Sequence, residues 1–148
     1  MNHPVMILPA ARKALNDLHE AAKEGGLPLK TIGLVELRAS QINGCSVCVD
    51  MHSRELKNAG ETDDRLFAVA AWRDNTCFNP AERAALALAE AATRISDRPD
   101  PVPDQIWEEA TKHYDEKALA ALLIAIANIN VWNRLNVAVR QIVGSWRG

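Results

Sequence analysis

Cysteine is scarce in this sequence, with three residues in a chain of 148. That number excludes a small secreted scaffold held together by many disulfides. Charge of one sign is also lacking. The formal net charge is −2, which argues against a nucleic-acid-binding protein because such proteins show a basic excess. The length is sufficient for one hydrophobic core without staples, so we expect residues 1–148 to form a single domain.

Long hydrophobic runs and a leader segment are missing as well. The first ten residues show no basic region followed by an apolar run, so no secretory signal is expected. The longest apolar stretch, 118–132, is interrupted by Asn128 and Asn130 and is shorter than the roughly 20 residues that a membrane span needs. We therefore expect a cytoplasmic protein with no membrane or nucleic-acid partner. In a reducing cytoplasm, a cysteine pair usually serves catalysis or metal binding.

Strand-like alternation of apolar and polar residues is absent too, whereas good helix formers are abundant. Proline and glycine, with the exception of Gly33, fall between the periodic segments or at their ends. The predicted fold is therefore all-α, with six to eight helices. The segments expected to be helical are 9–23, 29–42, 45–60, 62–73, 80–95, 104–114, 115–128 and 131–143. The last two segments form either one helix or two.

The chemically informative segment covers residues 38–52 and reads R-A-S-Q-I-N-G-C-S-V-C-V-D-M-H. Gly44 is expected to end one helix and leave Cys45 at the start of the next. Unpaired backbone N–H groups and the helix dipole stabilise a thiolate at that position. Cys48 follows at the spacing of redox-active pairs. His52 lies four residues further on the same helix face, where an imidazole can accept the thiol proton.

Two other interpretations of this pattern remain open. Two cysteines and one histidine supply three zinc ligands at most, and no fourth ligand stands at finger-like spacing. Asp50 is on another helix face, and His19 and His113 are remote in sequence. In the second interpretation, the two cysteines are a buried structural pair of thiols and His52 is a surface histidine. The combination of helix start, cysteine spacing and histidine position favours thiol redox chemistry, with no bound metal or cofactor.

The segment 38–52 resembles the AhpD-like alkylhydroperoxidases of the carboxymuconolactone decarboxylase superfamily. Three further segments extend the resemblance over nearly the whole chain: A-W-R at 71–73, E-R-A-A-L at 82–86 and N-V-W-N-R-L-N at 130–136. The resemblance implies an all-α fold, homo-oligomers that are often trimers or hexamers, and reduction of hydroperoxides by a dithiol pair.

The same resemblance implies a role for each motif residue. Cys48 corresponds to the nucleophile that attacks the peroxide, Cys45 to the thiol that resolves the sulfenic acid, and His52 to the proton-relay base. Spacing alone supports the pair and the histidine without deciding which thiol attacks first. An external dithiol, lipoyl or thioredoxin-like, is expected to restore the pair by exchange.

One position departs from the family pattern. Family members commonly carry a glutamate twelve residues before the first motif cysteine, and this chain has Gly33 there. Glu36 lies within about 60° of that position on a helix. It is either a substitute that orients His52 or a solvated surface charge, and without a substitute peroxidase activity would be weak. A glycine inside a helix marks a close approach or a ligand space.

Other functions and residues complete the expectations. A decarboxylase or lactone-type enzyme of the same superfamily and a non-enzymatic redox-sensing oligomer are the alternative functions. Cys77 is expected to be a bystander thiol, and His3, His19 and His113 to be surface residues. The asparagines in the last apolar region either hydrogen-bond to a neighbouring helix end or subunit or form an exposed stripe; they are Asn128, Asn130, Asn133 and Asn136.

Overall fold

The computed structural model describes residues 1–145 and shows an all-α protein, which confirms the predicted fold class. Within that range there is no strand, and two 3-10 segments, Val69–Asp74 and Ile95–Asp97, accompany eight α-helices. The helices are α1 (Pro4–Ile7), α2 (Pro9–Lys23), α3 (Leu29–Asn43), α4 (Ser46–Asn58), α5 (Asp63–Ala68), α6 (Pro80–Thr93), α7 (Asp104–His113) and α8 (Glu116–Ala138).

Helices α3 and α8 form the centre of the fold. Helix α3 packs on α4, α6 and α8, and α8 also packs on α2. Val35 and Leu37 of α3 are fully buried, as are Leu122 and Ala125 of α8. The loss of apolar surface to water is the main stabilising term for such a core. Because α3 is covered on several sides, its residues up to Ser40 are mostly buried, and Gly44 of the turn into α4 is exposed.

The helix starts follow the signals in the sequence. Asn79 caps α6 by accepting a hydrogen bond from the backbone N–H of Glu82, and the Glu82 carboxylate accepts one from the backbone N–H of Asn79. Asp115 accepts one from the backbone N–H of Ala118 and caps α8. Such caps satisfy N–H groups that have no partner within the helix. The single turn α1 was not predicted, because four residues are too short to show helical periodicity.

The helix predicted over 62–73 is wrong in its second half. Helix α5 ends at Ala68, and a 3-10 segment follows with a non-helical Ala71 (φ −125°, ψ 37°). The change of direction accompanies the burial of Trp72, whose indole N–H donates to Glu90. Arg83 donates to the backbone carbonyls of residues 72, 73 and 75, which satisfies acceptors at the end of the segment.

The two predicted segments 115–128 and 131–143 form one helix, and the predicted end of that helix is wrong. Helix α8 is one continuous helix, and it ends at Ala138 instead of residue 143. Arg140 adopts a left-handed conformation (φ 53°), and the backbone N–H of Gln141 donates to Asn136 O at 2.9 Å. These are the features of a Schellman cap, which usually has glycine at the left-handed position. An arginine there gives no sequence signal for a helix end.

Helix α8 is long and apolar enough, by length and composition only, to cross a membrane. Half of its most apolar 18-residue window is buried inside the protein. The core helix of a soluble protein passes the same test, so the length of α8 is weak evidence for a membrane span. Its packing against α2, α3 and α6 instead accounts for its apolar character.

Gly33 marks a close approach between α3 and α4. A Cβ atom added there would lie 2.7 Å from Leu56 Cδ2, so Leu56 would have to move. Of the two expectations for Gly33, the close approach is therefore the correct one.

Candidate active site

The turn between α3 and α4 presents the two motif cysteines. Gly44 ends α3 in the left-handed conformation (φ 68°), as predicted, and Cys45 is the N-cap of α4. Cys45 Sγ accepts a hydrogen bond from the backbone N–H of Cys48 at 3.3 Å. The two cysteines form a disulfide, and both are almost completely buried. The predicted pair is thus in its oxidised form at a helix start.

Two helix faces bring the site residues together. Cys48, His52 and Glu55 follow one another on α4 at i, i+4 and i+7, the spacing of a single helix face. Glu36 lies on the facing helix α3. Glu36, Cys48, His52 and Glu55 all line one cavity of about 630 Å³. Most of the surface of its wall is apolar, and the apolar residues on it are Val5, Met6, Val47, Met51, Ile129 and Trp132.

The two sulfur-bearing residues differ in the space they border. Cys48 lines the large cavity together with His52, whereas Cys45 lines a smaller pocket of about 150 Å³ beside the end of α8. The side-chain amide of Asn136 donates to Cys48 Sγ at 3.4 Å. A hydrogen bond to sulfur favours the thiolate form over the neutral thiol. The structure therefore joins Cys48, and not Cys45, to the histidine cavity.

Four titratable side chains form a continuous series on this cavity: Glu55, His52, Glu36 and His19. His52 Nδ1 lies 3.2 Å from Glu55 Oε2 and 3.5 Å from Glu36 Oε2. Glu36 Oε1 lies 3.2 Å from His19 Nδ1. Two carboxylates therefore alternate with two imidazoles.

His52 is 5% exposed, and its contacts with the carboxylates are ion-pair distances without aligned hydrogen bonds. Its Nε2 is buried and has no hydrogen-bond partner within residues 1–145. A buried polar atom without a partner is costly, and a ring nitrogen that carries no hydrogen can accept a proton.

Charge interactions shift two of the pKa values in the series. The hydrogen bond to Glu36 raises the pKa of His19 above its ordinary 6.5, against the opposing effect of burial. The contact with His52 lowers the pKa of Glu55 below its ordinary 4.5, again against burial. Both shifts favour the charged forms, in the sense expected for neighbouring opposite charges.

Glu36 itself is 4% exposed and is not a solvated surface charge. Its carboxylate contacts His52 even though Gly33 occupies the usual acid position. Its role as an orienting group for His52 stays a prediction, which the contact supports.

The asparagines of α8 bond within the chain and do not form an exposed stripe. Asn43, the last residue of α3, donates to Asn130 Oδ1 at 2.9 Å and Asn133 Oδ1 at 2.8 Å. Asn133 in turn donates to Ser40 Oγ at 3.0 Å. The expectation of bonding to a neighbouring helix end is therefore the correct one. These bonds fix the α3–α4 turn, and with it the disulfide, on α8.

Sequence reasoning missed two residues of the series. His19 was expected to be a free surface residue, but its side chain is 33% exposed and contacts Glu36. Its helix precedes α3, and no local spacing links the two residues. Glu55 was overlooked although it stands three residues after His52, so helical spacing could have found it.

Of the other predicted residues, His3 lines the cavity, whereas Cys77 and His113 lie outside it. Cys77 is a free, half-buried thiol that packs beside Trp72 and Phe78. His3 borders the cavity and stacks on Trp132. His113 contacts Glu109 on its own helix. Over the described range, no group of three or more His, Cys, Asp or Glu side chains is arranged to hold a metal ion.

Comparison with known proteins places the chain in a family. Residues 9–91 match the model of the carboxymuconolactone decarboxylase family. The uncharacterized protein YdfG of Bacillus subtilis is 35% identical over 133 residues, which are 90% of this chain and 89% of YdfG. The uncharacterized protein YnjA of Escherichia coli is 37% identical over 106 residues, or 72% of this chain and 57% of YnjA.

Solved structures show the same fold. A protein of unknown function from Agrobacterium tumefaciens, described as a candidate antioxidant defence protein AhpD, superposes with a TM-score of 0.89 and 33% identity. The match covers 97% of this chain and 96% of that one. The debrominase Bmp8 superposes with a TM-score of 0.83 over 95% of this chain and 75% of its own, at 22% identity. The chain is an AhpD-like member of the carboxymuconolactone decarboxylase family.

Proposed function

We propose that this protein reduces organic hydroperoxides through the reversible Cys45–Cys48 disulfide, with help from His52. The observation that carries the proposal is the disulfide at the start of α4, where Cys48 shares a cavity with His52, whose buried Nε2 has no partner in the described part of the chain. The antioxidant role ascribed to the Agrobacterium relative agrees with it.

The first half-reaction begins with the reduced pair. His52 takes the proton of the Cys48 thiol, and the thiolate attacks the outer oxygen of the hydroperoxide. The O–O bond breaks, Cys48 becomes a sulfenic acid, and His52 returns the proton to the departing alkoxide to give an alcohol. The Cys45 thiol then attacks the Cys48 sulfur, water leaves, and the disulfide forms. The assignment of Cys48 as the attacking thiol is supported by its place on the histidine cavity.

The second half-reaction restores the thiols. An external dithiol, lipoyl or thioredoxin-like, attacks the disulfide, forms a mixed disulfide and leaves as its own cyclic or paired disulfide. Two protons and two electrons pass to Cys45 and Cys48, so the cycle balances.

We further propose that the protein works in the cytoplasm. We also propose that it is a homo-oligomer, because exposed apolar residues such as Val131 and Val137 lie on α8.

The size and lining of the cavity support a bulky substrate. A volume of about 630 Å³ with a mainly apolar wall lies within the range of small-molecule sites. Hydrogen peroxide would leave most of that apolar wall uncovered. An aromatic or alkyl hydroperoxide can cover it, so the cavity favours organic hydroperoxides.

Turnover of cumene hydroperoxide with dihydrolipoamide as reductant tests the proposal. Cys48→Ser should abolish turnover, whereas the matched Cys77→Ser variant should retain it because Cys77 does not line the cavity. Equal turnover by the wild-type protein and Cys48→Ser would disprove the peroxidase mechanism. Lactone-dependent activity that survives loss of both motif cysteines would favour the decarboxylase alternative. Oxidation that changes the sedimentation coefficient without any turnover would favour a redox sensor.

A further inference from the structure

Glu36 lies between two imidazoles that differ in their access to solvent. Both line the cavity, but His52 is only 5% exposed, whereas the side chain of His19 is 33% exposed. Each imidazole approaches a different oxygen of the carboxylate: His19 Nδ1 is near Oε1, and His52 Nδ1 is near Oε2. The two imidazoles can therefore have different roles: His19 can hold the Glu36 carboxylate in place, and His52 can interact with that carboxylate during proton transfer.

A buried carboxylate needs a donor to stay ionised. Removing a charged group from water is costly unless hydrogen bonds compensate. The His19 Nδ1–Glu36 Oε1 distance is 3.2 Å, which is shorter than the 3.5 Å between His52 Nδ1 and Glu36 Oε2. His19 is thus the nearer of the two imidazole donors to the Glu36 carboxylate.

We propose that His19 is a positioning residue, which holds the Glu36 carboxylate against His52 and so sets the pH range in which His52 accepts the Cys48 proton. The inference deepens the proposed function and rests on it for its purpose. A charged Glu36 favours a charged His52, and a charged His52 favours the Cys48 thiolate. His19 acts at the outer end of this series and need not touch the substrate.

Other charges also act on His19. Lys23 and Glu20 on α2 are near enough to influence its titration, with opposite signs. Glu55 on α4 feels the charge of His19 and of Lys23, and Arg12 of α2 borders the same cavity. The test must therefore separate the hydrogen bond to Glu36 from a general change in charge. Asparagine and leucine at position 19 do so, since both are uncharged and nearly equal in shape, and only asparagine carries a donor near the place of Nδ1.

The experiment measures alkylation of Cys48 in the reduced protein as a function of pH, with the modified residue identified by peptide mass spectrometry. For His19→Leu we expect the midpoint of alkylation to move to higher pH by about half a unit or more, because Glu36 loses the donor that stabilises its charge. His19→Asn should restore a midpoint close to that of the wild-type protein. His113→Leu is the matched control, since His113 also contacts a glutamate at 3.2 Å but lies outside the cavity.

Three results would overturn the proposal: an unchanged midpoint in His19→Leu, an equal shift in both position-19 variants, or an equal shift in His113→Leu. Thermal melts establish that each variant is folded. If His19→Leu does not fold, the test uses two other variants. Glu36→Gln must then raise the midpoint pH of Cys48 alkylation, and His19→Asn must leave it unchanged. Any other pair of results overturns the proposal. Alkylation needs no peroxide, so a wild-type protein without peroxide turnover would disprove the proposed function and leave this test unaffected.

Discussion

Two buried glutamates on neighbouring helices, Glu36 of α3 and Glu90 of α6, have very different surroundings. Glu90 accepts hydrogen bonds from Arg38 Nε at 2.7 Å and Trp72 Nε1 at 2.9 Å, and its other oxygen pairs with Arg73. Within residues 1–145, the carboxylate of Glu36 pairs with two imidazoles, His19 and His52, and both of them line the cavity. The contrast distinguishes a carboxylate with fixed donors from one whose partners gain and lose protons.

The nature of the partners determines what each carboxylate can do. Arginine stays charged at every relevant pH and indole only donates, so the surroundings of Glu90 do not change with pH. Histidine changes charge near neutral pH, so the surroundings of Glu36 do. We therefore expect Glu90 to act on stability and Glu36 to act on the chemistry of the disulfide. Substitutions at the two positions test this separation.

The largest effect is expected for Glu90→Ala. Its removal leaves the guanidinium groups of Arg38 and Arg73 and the buried indole of Trp72 without their acceptor. Breaking a buried ion pair on one side costs about 3–5 kcal/mol. The free energy of unfolding, measured by urea denaturation, should fall by that amount. Asp17→Ala, which breaks the exposed Lys13–Asp17 pair, should cost under about 1 kcal/mol.

Glu36→Gln should lower activity more than stability. Glutamine keeps the shape and one acceptor oxygen but removes the negative charge beside His52. We expect kcat/KM for cumene hydroperoxide to fall about 10–100-fold, which corresponds to roughly 1.4–2.7 kcal/mol of transition-state stabilisation. Steady-state kinetics with excess dihydrolipoamide measure it.

The activity of a Glu90 variant tests whether the roles of Glu36 and Glu90 are separate. Glu90→Gln, assayed at a temperature at which it is folded, should retain kcat/KM within about threefold of the wild-type value. A loss as large as that of Glu36→Gln would show that Glu90 also supports the chemistry, and the comparison between the two carboxylates would fail.

Most of the fold could be predicted from the sequence, because the signals that set it are local. The start of α6 at Pro80 follows from Asn79 and Glu82, and the Cys45 helix start follows from Gly44. The end of α8 could not be predicted, since Arg140 takes a conformation that glycine usually supplies. The kink at Ala71 depends on contacts of Trp72 with α6, which no local pattern contains.

The candidate site divides in the same way. The spacing of Cys45, Cys48 and His52 placed the thiols and the imidazole on one helix. The partners of Glu36 depend on the packing of three helices, so whether it was buried or solvated could not be decided from sequence. The contact of His19 with Glu36 could not be predicted either, because it joins residues 17 positions apart on separate helices (36 − 19).

A smaller effect is expected when one donor to Glu90 is removed and both arginines stay. Trp72→Phe deletes the indole N–H that donates to Glu90 at 2.9 Å. Because the acceptor is charged, we expect a loss of about 1.5 kcal/mol, at the low end for such bonds. Urea denaturation measures it. Trp107→Phe makes the same change at a half-exposed indole and should cost less; an equal cost would assign the effect to ring volume instead of the hydrogen bond.

The smallest effects are expected in the pH dependence of stability, and they have opposite signs. Burial raises the pKa of Glu90, but its three donors more than offset this and hold it below the ordinary 4.5. Its stabilisation is therefore present above pH 4.5 and is lost as pH falls through the lower folded pKa. The hydrogen bond to Glu36 raises the pKa of His19 above 6.5. Its contribution is present below pH 6.5 and is lost as pH rises through the folded pKa.

Urea denaturation of three proteins across the pH range separates these two contributions. The stability difference between wild type and Glu90→Gln should shrink as pH falls below 4.5 and stay constant around neutral pH. The difference between wild type and His19→Asn should shrink as pH rises above 6.5 and stay constant in the range where Glu90 titrates. Because each variant removes one titrating group and leaves the other, the two differences should change in separate pH ranges. A difference for His19→Asn that stays constant above pH 6.5 would mean that His19 stabilises Glu36 only as a neutral donor, and that the two carboxylate regions differ less in their response to pH than their partners indicate.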